Sequence, residues 1–410
     1  MRVWMRVVAG CVIGVTLGMV FSARGGDLAE AMRIISSLVV NVGRFAIYPL
    51  IFFGLIISLC ELRADKITGR IYLRSIGMIA AATAVMVVFG TLIVLLLAPR
   101  PIRPIFQEAT VPLLPTVESL LADTFPRNMF AVFAGPGNFL LPVVVSATLL
   151  GFVFYAEGPT ASPATDVVDS LARIAYRLNS WVTEIVGVLL IAVSAFWVLQ
   201  LRMVSDLALF SPLVMVVAAV AALFVLVVYP LLIYFLGNRH NPAAWLYGLV
   251  PPAVVAFFSG DSYFSLGSML RVSKENLGIS REVSTPVLSL AVLFAKPGSA
   301  MVIAAGFITV LRSYIALEIP VHVALWIMGS TFLFSFLLGS VPGSTVLVGL
   351  SVLANGYGQG LEEIYLILLP ALPILTGIAV LVDTITSGFI AFLIAQWERK
   401  RRIVDPLDFV

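Results

Sequence analysis

Charged residues are scarce in this chain of 410 residues: Asp, Glu, Lys and Arg make up 11% of it, against 60% hydrophobic residues. Soluble domains carry about 25% charged residues, so the composition excludes an ordinary soluble protein. The charges mostly cluster between apolar runs of spanning length, which leaves no polar stretch long enough for a soluble domain. The sequence therefore predicts an all-α polytopic membrane protein.

Histidine and cysteine are also rare, with two of each. His240 and His322 lie far apart without Cys or acidic neighbours at ligand spacing, and Cys11 and Cys60 fall inside apolar segments. Neither a nucleophile with its base nor paired acids occurs at a suggestive spacing. We therefore predict no enzyme activity, no cofactor and no nucleic-acid partner, the last because the net charge of +3 comes mainly from loops and termini.

Apolar runs of spanning length predict the membrane helices. Six are expected at about residues 3–23, 41–60, 75–98, 128–155, 178–200 and 206–236, followed by a broken segment from Asn241, a run at 284–311, a second broken segment at 320–357 and a last run at 361–395. Lys and Arg are enriched on the side that carries both termini, which predicts cytoplasmic termini in a cell (inner) membrane.

The two broken segments share a pattern of interruptions. Val254–Gly267 contains Ser259-Gly260-Asp261-Ser262, and Phe336–Leu350 contains Gly339-Ser340-Val341-Pro342-Gly343-Ser344-Thr345. Unwound backbone at membrane depth is tolerated only where protein or a water-filled cavity covers it, and paired breaks mark transporter binding sites. The pattern predicts a transport site in two inverted units.

Three ionisable residues lie in otherwise apolar segments, namely Asp261, Lys296 and Asp383. A charge at the bilayer centre costs roughly 2.5–3.5 kcal/mol on insertion scales, so such groups usually pair or face a cavity. Each is a candidate functional residue. For Asp261 a wet position at the cytoplasmic mouth is the alternative.

Several strings resemble the dicarboxylate/amino acid:cation symporter family. Leu270-Arg271-Val272-Ser273-Lys274-Glu275, followed by Leu277-Gly278-Ile279-Ser280, is similar to the family's Met-Arg-Val-Ala-Lys-Glu and Gly-Ile-Ser, and Val341-Pro342-Gly343 is similar to its Val-Pro-Gly. The resemblance implies the glutamate-transporter fold: eight transmembrane helices plus two re-entrant helical hairpins with inverted repeats.

The same resemblance implies an elevator mechanism in a homotrimer embedded in the lipid bilayer. Residues 1–240 would form mainly a scaffold, with helices 3 and 6 able to move with the transport unit. Residues 241–398 would be the transport core, and 399–410 a basic cytoplasmic tail. The implied function is symport of a small amino acid or dicarboxylate coupled to Na⁺ or H⁺. A non-transporting solute sensor or a channel on the same scaffold is the alternative.

Departures from the family pattern define the expected site. Ala295-Lys296-Pro297-Gly298-Ser299 stands where the family has the sodium-binding Asn-Met-Asp-Gly-Thr, and Ala379 stands where it has the substrate-binding Arg, which puts acidic substrates in doubt. Lys296 is expected to replace a bound sodium ion and to pair with Asp383; a static ion pair is the alternative. The expected substrate-binding residues are Asp261, Ser262, Tyr263, Ser299, Val341, Pro342, Gly343, Ser344, Thr376, Asp383 and Thr386, and the expected ion-coupling residues are Lys296, Asp383 and Ser387.

Overall fold

The structure, a computed structural model, describes residues 2–21, 26–97, 99, 102, 118, 122, 124, 125, 128–134, 139–204, 207–315, 319–358 and 360–409. Apart from one isolated bridge, no β-structure forms in these ranges. The helices are α1 Val3–Phe21, α2 Gly26–Arg44, α3 Ile47–Ala64, α4 Thr68–Leu97, α5 Leu141–Glu157, α6 Ser162–Arg202, α7 Ser211–Leu223, α8 Tyr229–Leu236, α9 Pro242–Gly248, α10 Val250–Ser259, α11 Ser262–Glu275, α12 Arg281–Phe294, α13 Pro297–Ile315, α14 Val321–Ser335, α15 Thr345–Tyr357 and α16 Leu372–Trp397.

Seven helical segments of the described chain are long and apolar enough to cross a membrane, and the pair α9 and α10, bent by 48°, could form an eighth span. The predicted all-α polytopic class is confirmed. Several predicted bounds were wrong: α2 precedes the helix expected at 41–60, and α6 begins at Ser162 rather than near 178. Apolarity alone does not show where a helix enters the membrane, which explains these errors.

The apolar run at 284–311 is two helices rather than one. Pro297 disfavours helical backbone at the preceding residue and fits the first turn of a new helix, so α12 ends at Phe294 and α13 starts at Pro297. Together they form the most buried candidate span, Arg281–Tyr314, with 94% of its apolar window buried. The break at Ala295-Lys296 therefore lies in the centre of the protein.

The first hairpin consists of α10, the tip Gly260-Asp261 and α11. Gly260 ends α10 with a φ of 60°, a left-handed conformation that glycine adopts without strain. Asp261 then caps α11, because its Oδ1 accepts a hydrogen bond of 2.7 Å from the Phe264 backbone N–H. The two helices pack against each other and α11 is almost completely buried.

The second hairpin consists of α14, residues 336–344 and α15. A 3₁₀ turn, Leu338–Ser340, leads into the tip, where Gly343 has a φ of 80°. Gly339 packs directly on the end of α12, because an added Cβ there would overlap the Leu293 backbone. The tip is thereby held against the break between α12 and α13.

The basic tail is folded onto the loop that follows the first hairpin. The Ser280 N–H donates to the Lys400 carbonyl at 3.0 Å, and the Arg402 N–H donates to the Gly278 carbonyl at 2.9 Å. The Lys400 ammonium also contacts Asp65 at 2.6 Å. The expected tail is thus part of the packed structure.

Candidate functional site

The Asp383 carboxylate of α16 caps the N-terminus of α13. Its Oδ1 accepts hydrogen bonds from the backbone N–H groups of Gly298 at 2.7 Å and Ser299 at 3.2 Å, and its Oδ2 accepts one from the Ser299 hydroxyl at 2.6 Å. The residue before the helix is Lys296, which has no acceptor with which to cap it. A negative charge is favourable at this helix end because the helix dipole is positive there.

The absence of a side chain at Gly298 makes this contact available. An added Cβ would overlap the Ala379 carbonyl and the Val382 side chain of α16. Helices α13 and α16 therefore approach closely at this point. The Asp383 carboxylate, one turn after Ala379 on α16, then reaches the free N–H groups at the start of α13.

The Lys296 ammonium lies completely buried beside this cap. It donates a hydrogen bond of 2.8 Å to the Ser262 hydroxyl at the start of α11. The Asp383 oxygens accept their hydrogen bonds from Gly298 and Ser299 and not from Lys296, so the expected direct ion pair is not among the contacts of the described residues. Both side chains instead line one small cavity.

That cavity has a volume of about 20 Å³, and Ser265, Thr384 and Ser387 contribute hydroxyl groups to its lining. A single water needs roughly 10–15 Å³ of such volume. The small cavity can therefore hold one water or a bare ion, but not an amino acid. Four expected residues meet around it, namely Ser262, Lys296, Asp383 and Ser387.

Asp261 is buried at the tip of the first hairpin, with 2% of its surface exposed, so the alternative of a wet cytoplasmic mouth is wrong. Its Oδ2 forms an ion pair with Arg44 at the end of α2. Sequence reasoning missed Arg44 because the two residues are 217 positions apart and α2 was not predicted. The only available signal was an arginine at the end of an amphipathic segment.

Tyr263 connects the two hairpins. Its hydroxyl donates to the Gly339 carbonyl at 2.7 Å and accepts from the Leu140 N–H at 3.1 Å. The side chain is completely buried. Both interactions of the hydroxyl are with backbone groups, so in this structure Tyr263 ties elements together instead of presenting a free group to a solute.

Thr386 also faces away from the small cavity. Its hydroxyl is 2.6 Å from the Tyr229 hydroxyl of α8 and donates to the Val382 carbonyl at 2.8 Å. Ser387, the next residue, donates to the Asp383 carbonyl at 2.8 Å while lining the cavity. Of these two neighbours, only Ser387, expected among the ion-coupling residues, faces the small cavity.

A larger cavity of about 360 Å³ lies where the hairpin tips meet α6 and the start of α16. Three expected residues, Gly343, Ser344 and Thr376, line it. Its lining also includes the polar residues Ser36, Gln200 and Ser259 and the aromatic residues Phe196, Trp197 and Phe258. None of the described residues that line it is charged. It is large enough for a small organic solute.

The tips of the two hairpins are in close proximity beside this cavity. A Cβ built on Gly343 would lie 3.5 Å from the Asp261 Oδ2, and one built on Gly260 would lie 3.2 Å from the Thr376 Cγ2. Val341 supports the second tip, because its carbonyl accepts from the Ser344 N–H at 3.2 Å. Pro342, which was expected in the site, is not part of the larger cavity's lining.

Comparison with known proteins identifies the family. The profile of the sodium:dicarboxylate symporter family matches residues 3–397. The chain belongs to this family. Membership agrees with the seven apolar helical segments and makes the protein a multi-pass membrane protein of a family of transporters rather than enzymes.

Three relatives show how distant the similarity is. Neutral amino acid transporter B(0) of Oryctolagus cuniculus is 24% identical over 74% of this chain and 64% of its own length. The putative sodium-dependent excitatory amino acid transporter glt-6 of Caenorhabditis elegans is 23% identical over 86% of this chain and 72% of its own length. The C4-dicarboxylate transport protein of Pectobacterium atrosepticum is 21% identical over 44% of this chain and 43% of its own length.

Proposed function

We propose that the protein is a secondary active transporter that moves a small amino acid or dicarboxylate together with a cation. The observation that carries this proposal is the meeting of two broken helical segments beside a 360 Å³ cavity, with buried ionisable groups next to it. Broken helices whose ends converge are typical of transporter binding sites. The family and the named relatives support the same activity.

The finer architecture belongs to the proposal. Seven candidate spans plus the shorter apolar helix α5 are compatible with eight transmembrane helices, with the two hairpins as re-entrant elements. Residues 241–398 would then move as the transport core against a scaffold built mainly from residues 1–240, in a homotrimer of the inner membrane. The second hairpin would be the extracellular gate, and both termini would be cytoplasmic.

The lining of the larger cavity favours a neutral solute over an acidic one. A side-chain carboxylate is normally bound by a bidentate arginine. None of the described residues that line this cavity is cationic. Hydroxyls and backbone groups of the hairpin tips and of α16, notably Ser344 and Thr376, would bind the polar end of the solute. Apolar and aromatic residues would surround the remainder.

The small cavity supports a tethered cation in place of one sodium ion. Lys296 carries a positive charge where the family pattern has a sodium-binding segment, and it faces the same cavity as Asp383. The Asp383 carboxylate is held by the α13 N-terminus, so the fixed ammonium would provide charge balance without a bound metal ion. Coupling to sodium would then be weakened or replaced by coupling to protons.

Uptake into proteoliposomes tests the activity. We expect a radiolabelled neutral amino acid to accumulate above equilibrium under a proton or sodium gradient, and an acidic amino acid or C4-dicarboxylate to accumulate less. Equilibration without accumulation, or no uptake of any of these solutes, would contradict the proposed function.

Thermal stabilisation by solute tests the tethered cation. The wild-type protein should be stabilised by the transported solute in choline as well as in sodium. Lys296→Met should lose this stabilisation in choline, while the control Lys66→Met, at an exposed lysine outside the site, should keep it. Stabilisation of the wild-type protein that strictly requires sodium would exclude the tethered cation and leave symport itself intact.

A further inference from the structure

A third cavity is separate from both cavities of the candidate site. It has a volume of about 570 Å³ and lies between α3, α6, α11 and α12. Five cationic side chains line it, namely Arg173, Arg177, Arg271, Lys274 and Arg281, together with two carboxylates, Glu184 and Glu275. None of these groups is used by the proposed transport site.

Three of the five cations form ion pairs with carboxylates of the same helix or of neighbouring helices. Arg281 contacts Glu61 at 2.6 Å and Asp169 at 2.7 Å. Arg173 shares Asp169, also at 2.7 Å. These contacts occupy two carboxylates at the rim of the cavity.

Arg271 occupies the other two carboxylates. It contacts Glu275 at 2.9 Å and Glu184 at 3.3 Å, and it donates to the Ser180 carbonyl at 3.0 Å. Each carboxylate that lines the cavity or pairs with its cations is therefore already engaged.

Arg177 and Lys274 remain without a carboxylate partner among the described residues. Arg177 is exposed on α6, and the Lys274 ammonium lies 4.2 Å from the centre of the Tyr176 ring. The five cations and the four carboxylates leave a net charge of +1 at the cavity, and the two cations outside the ion pairs lie on different elements, which makes the site complementary to an anion. Arginine and lysine are the usual ligands of phosphate groups.

The surface at the cavity favours a lipid as the source of that anion. Trp181 lines the cavity and is 62% exposed, and it continues an exposed apolar stripe of α6. The stripe consists of Ile174, Trp181, Ile185 and Val188, which share one helix face. A headgroup in the cavity would leave the acyl chains along this stripe, whereas a free phosphate ion would gain nothing from it.

We propose that this cavity binds the phosphate headgroup of an anionic phospholipid, with Arg177 on α6 and Lys274 on the first hairpin as its ligands. Basic pockets between membrane helices are known to take anionic headgroups. The bound lipid would join α6 to the first hairpin. Lipid composition would thereby influence how readily these two elements separate.

Lipid titration of the full-length protein in detergent tests the site. The probes are short-chain phosphatidylglycerol, short-chain phosphatidylcholine and inorganic phosphate, and the readouts are the thermal midpoint and the lipid retained in native mass spectrometry. We expect phosphatidylglycerol alone to raise the midpoint and to be retained. Arg177→Gln and Lys274→Gln should each weaken its apparent affinity roughly tenfold, the loss expected for one charged hydrogen bond.

Arg399→Gln serves as the matched control, because Arg399 is an exposed cation of the tail outside the cavity. It should respond to lipid like the wild-type protein, and Lys274→Arg should retain binding. An equal response to phosphatidylcholine, an unchanged phosphatidylglycerol affinity in both glutamine variants, or full reproduction of the effect by inorganic phosphate would each overturn the proposal. Native mass spectrometry reads bound lipid directly, so a loss of stability in a variant does not obscure the result.

Discussion

Removal of the Asp383 carboxylate should destabilise the protein far more than removal of the Lys296 ammonium. Asp383→Ala leaves two buried N–H groups and the Ser299 hydroxyl without their acceptor, and leaves the Lys296 charge without a negative group across the small cavity. Stranding a buried charge in this way typically costs about 3–5 kcal/mol.

Lys296→Met removes an ammonium whose described hydrogen bond is a single one, to Ser262. Methionine fills a similar volume, and the cap on α13 persists because it does not involve the lysine. The change also removes the desolvation cost of a buried ammonium, and the Asp383 carboxylate keeps its three donors, so Lys296→Met should cost less than about 1.5 kcal/mol. Ser299→Ala, which removes one hydrogen bond to a carboxylate, should fall between the two, at about 1.5–3 kcal/mol.

Equilibrium unfolding by sodium dodecyl sulfate in mixed micelles measures these differences. The expected order of destabilisation is Asp383→Ala, then Ser299→Ala, then Lys296→Met. The reasoning would be refuted if Lys296→Met were as costly as Asp383→Ala, since the lysine would then be part of the structural cap, or if Asp383→Ala cost less than about 1 kcal/mol.

Three further predictions concern groups outside this cap. Tyr263→Phe removes the hydrogen bond to the Gly339 carbonyl, so a cysteine introduced at the second hairpin tip should react faster with thiol reagents. An unchanged labelling rate would contradict this role of Tyr263. Arg44→Gln should destabilise the protein, because Arg44 forms an ion pair with Asp261. In unfolding measurements, Arg44→Gln combined with Asp261→Asn should cost less stability than the sum of the two single changes. Strict additivity would exclude a coupled pair. Burial and the nearby Arg401 guanidinium lower the pKa of His240 to about 4, so the free energy of unfolding should decline as the pH falls from 6.5 toward 4. His240→Gln should flatten this part of the stability profile. An unchanged slope would contradict the prediction.

Sequence by itself determined the class of the protein and the positions of its two hairpin tips. Scarce charge and long apolar runs leave no alternative to a membrane bundle, and Gly260 and Gly343, both with positive φ, mark the hairpin tips because glycine tolerates that backbone conformation. The isolated ionisable residues Asp261, Lys296 and Asp383 were also recognisable, since burying them in apolar segments is costly.

Only the tertiary structure decided which groups these residues meet. Arg44 reaches Asp261 across 217 positions, and Asp383 caps a helix that starts 86 positions earlier, at Pro297. Pattern and propensity describe neighbours along the chain, whereas a hydrogen bond requires atoms within about 3 Å, which depends on how distant helices pack. The same limit explains why the small cavity, the larger cavity at the hairpin tips and the cationic cavity beside α6 could not be separated from sequence.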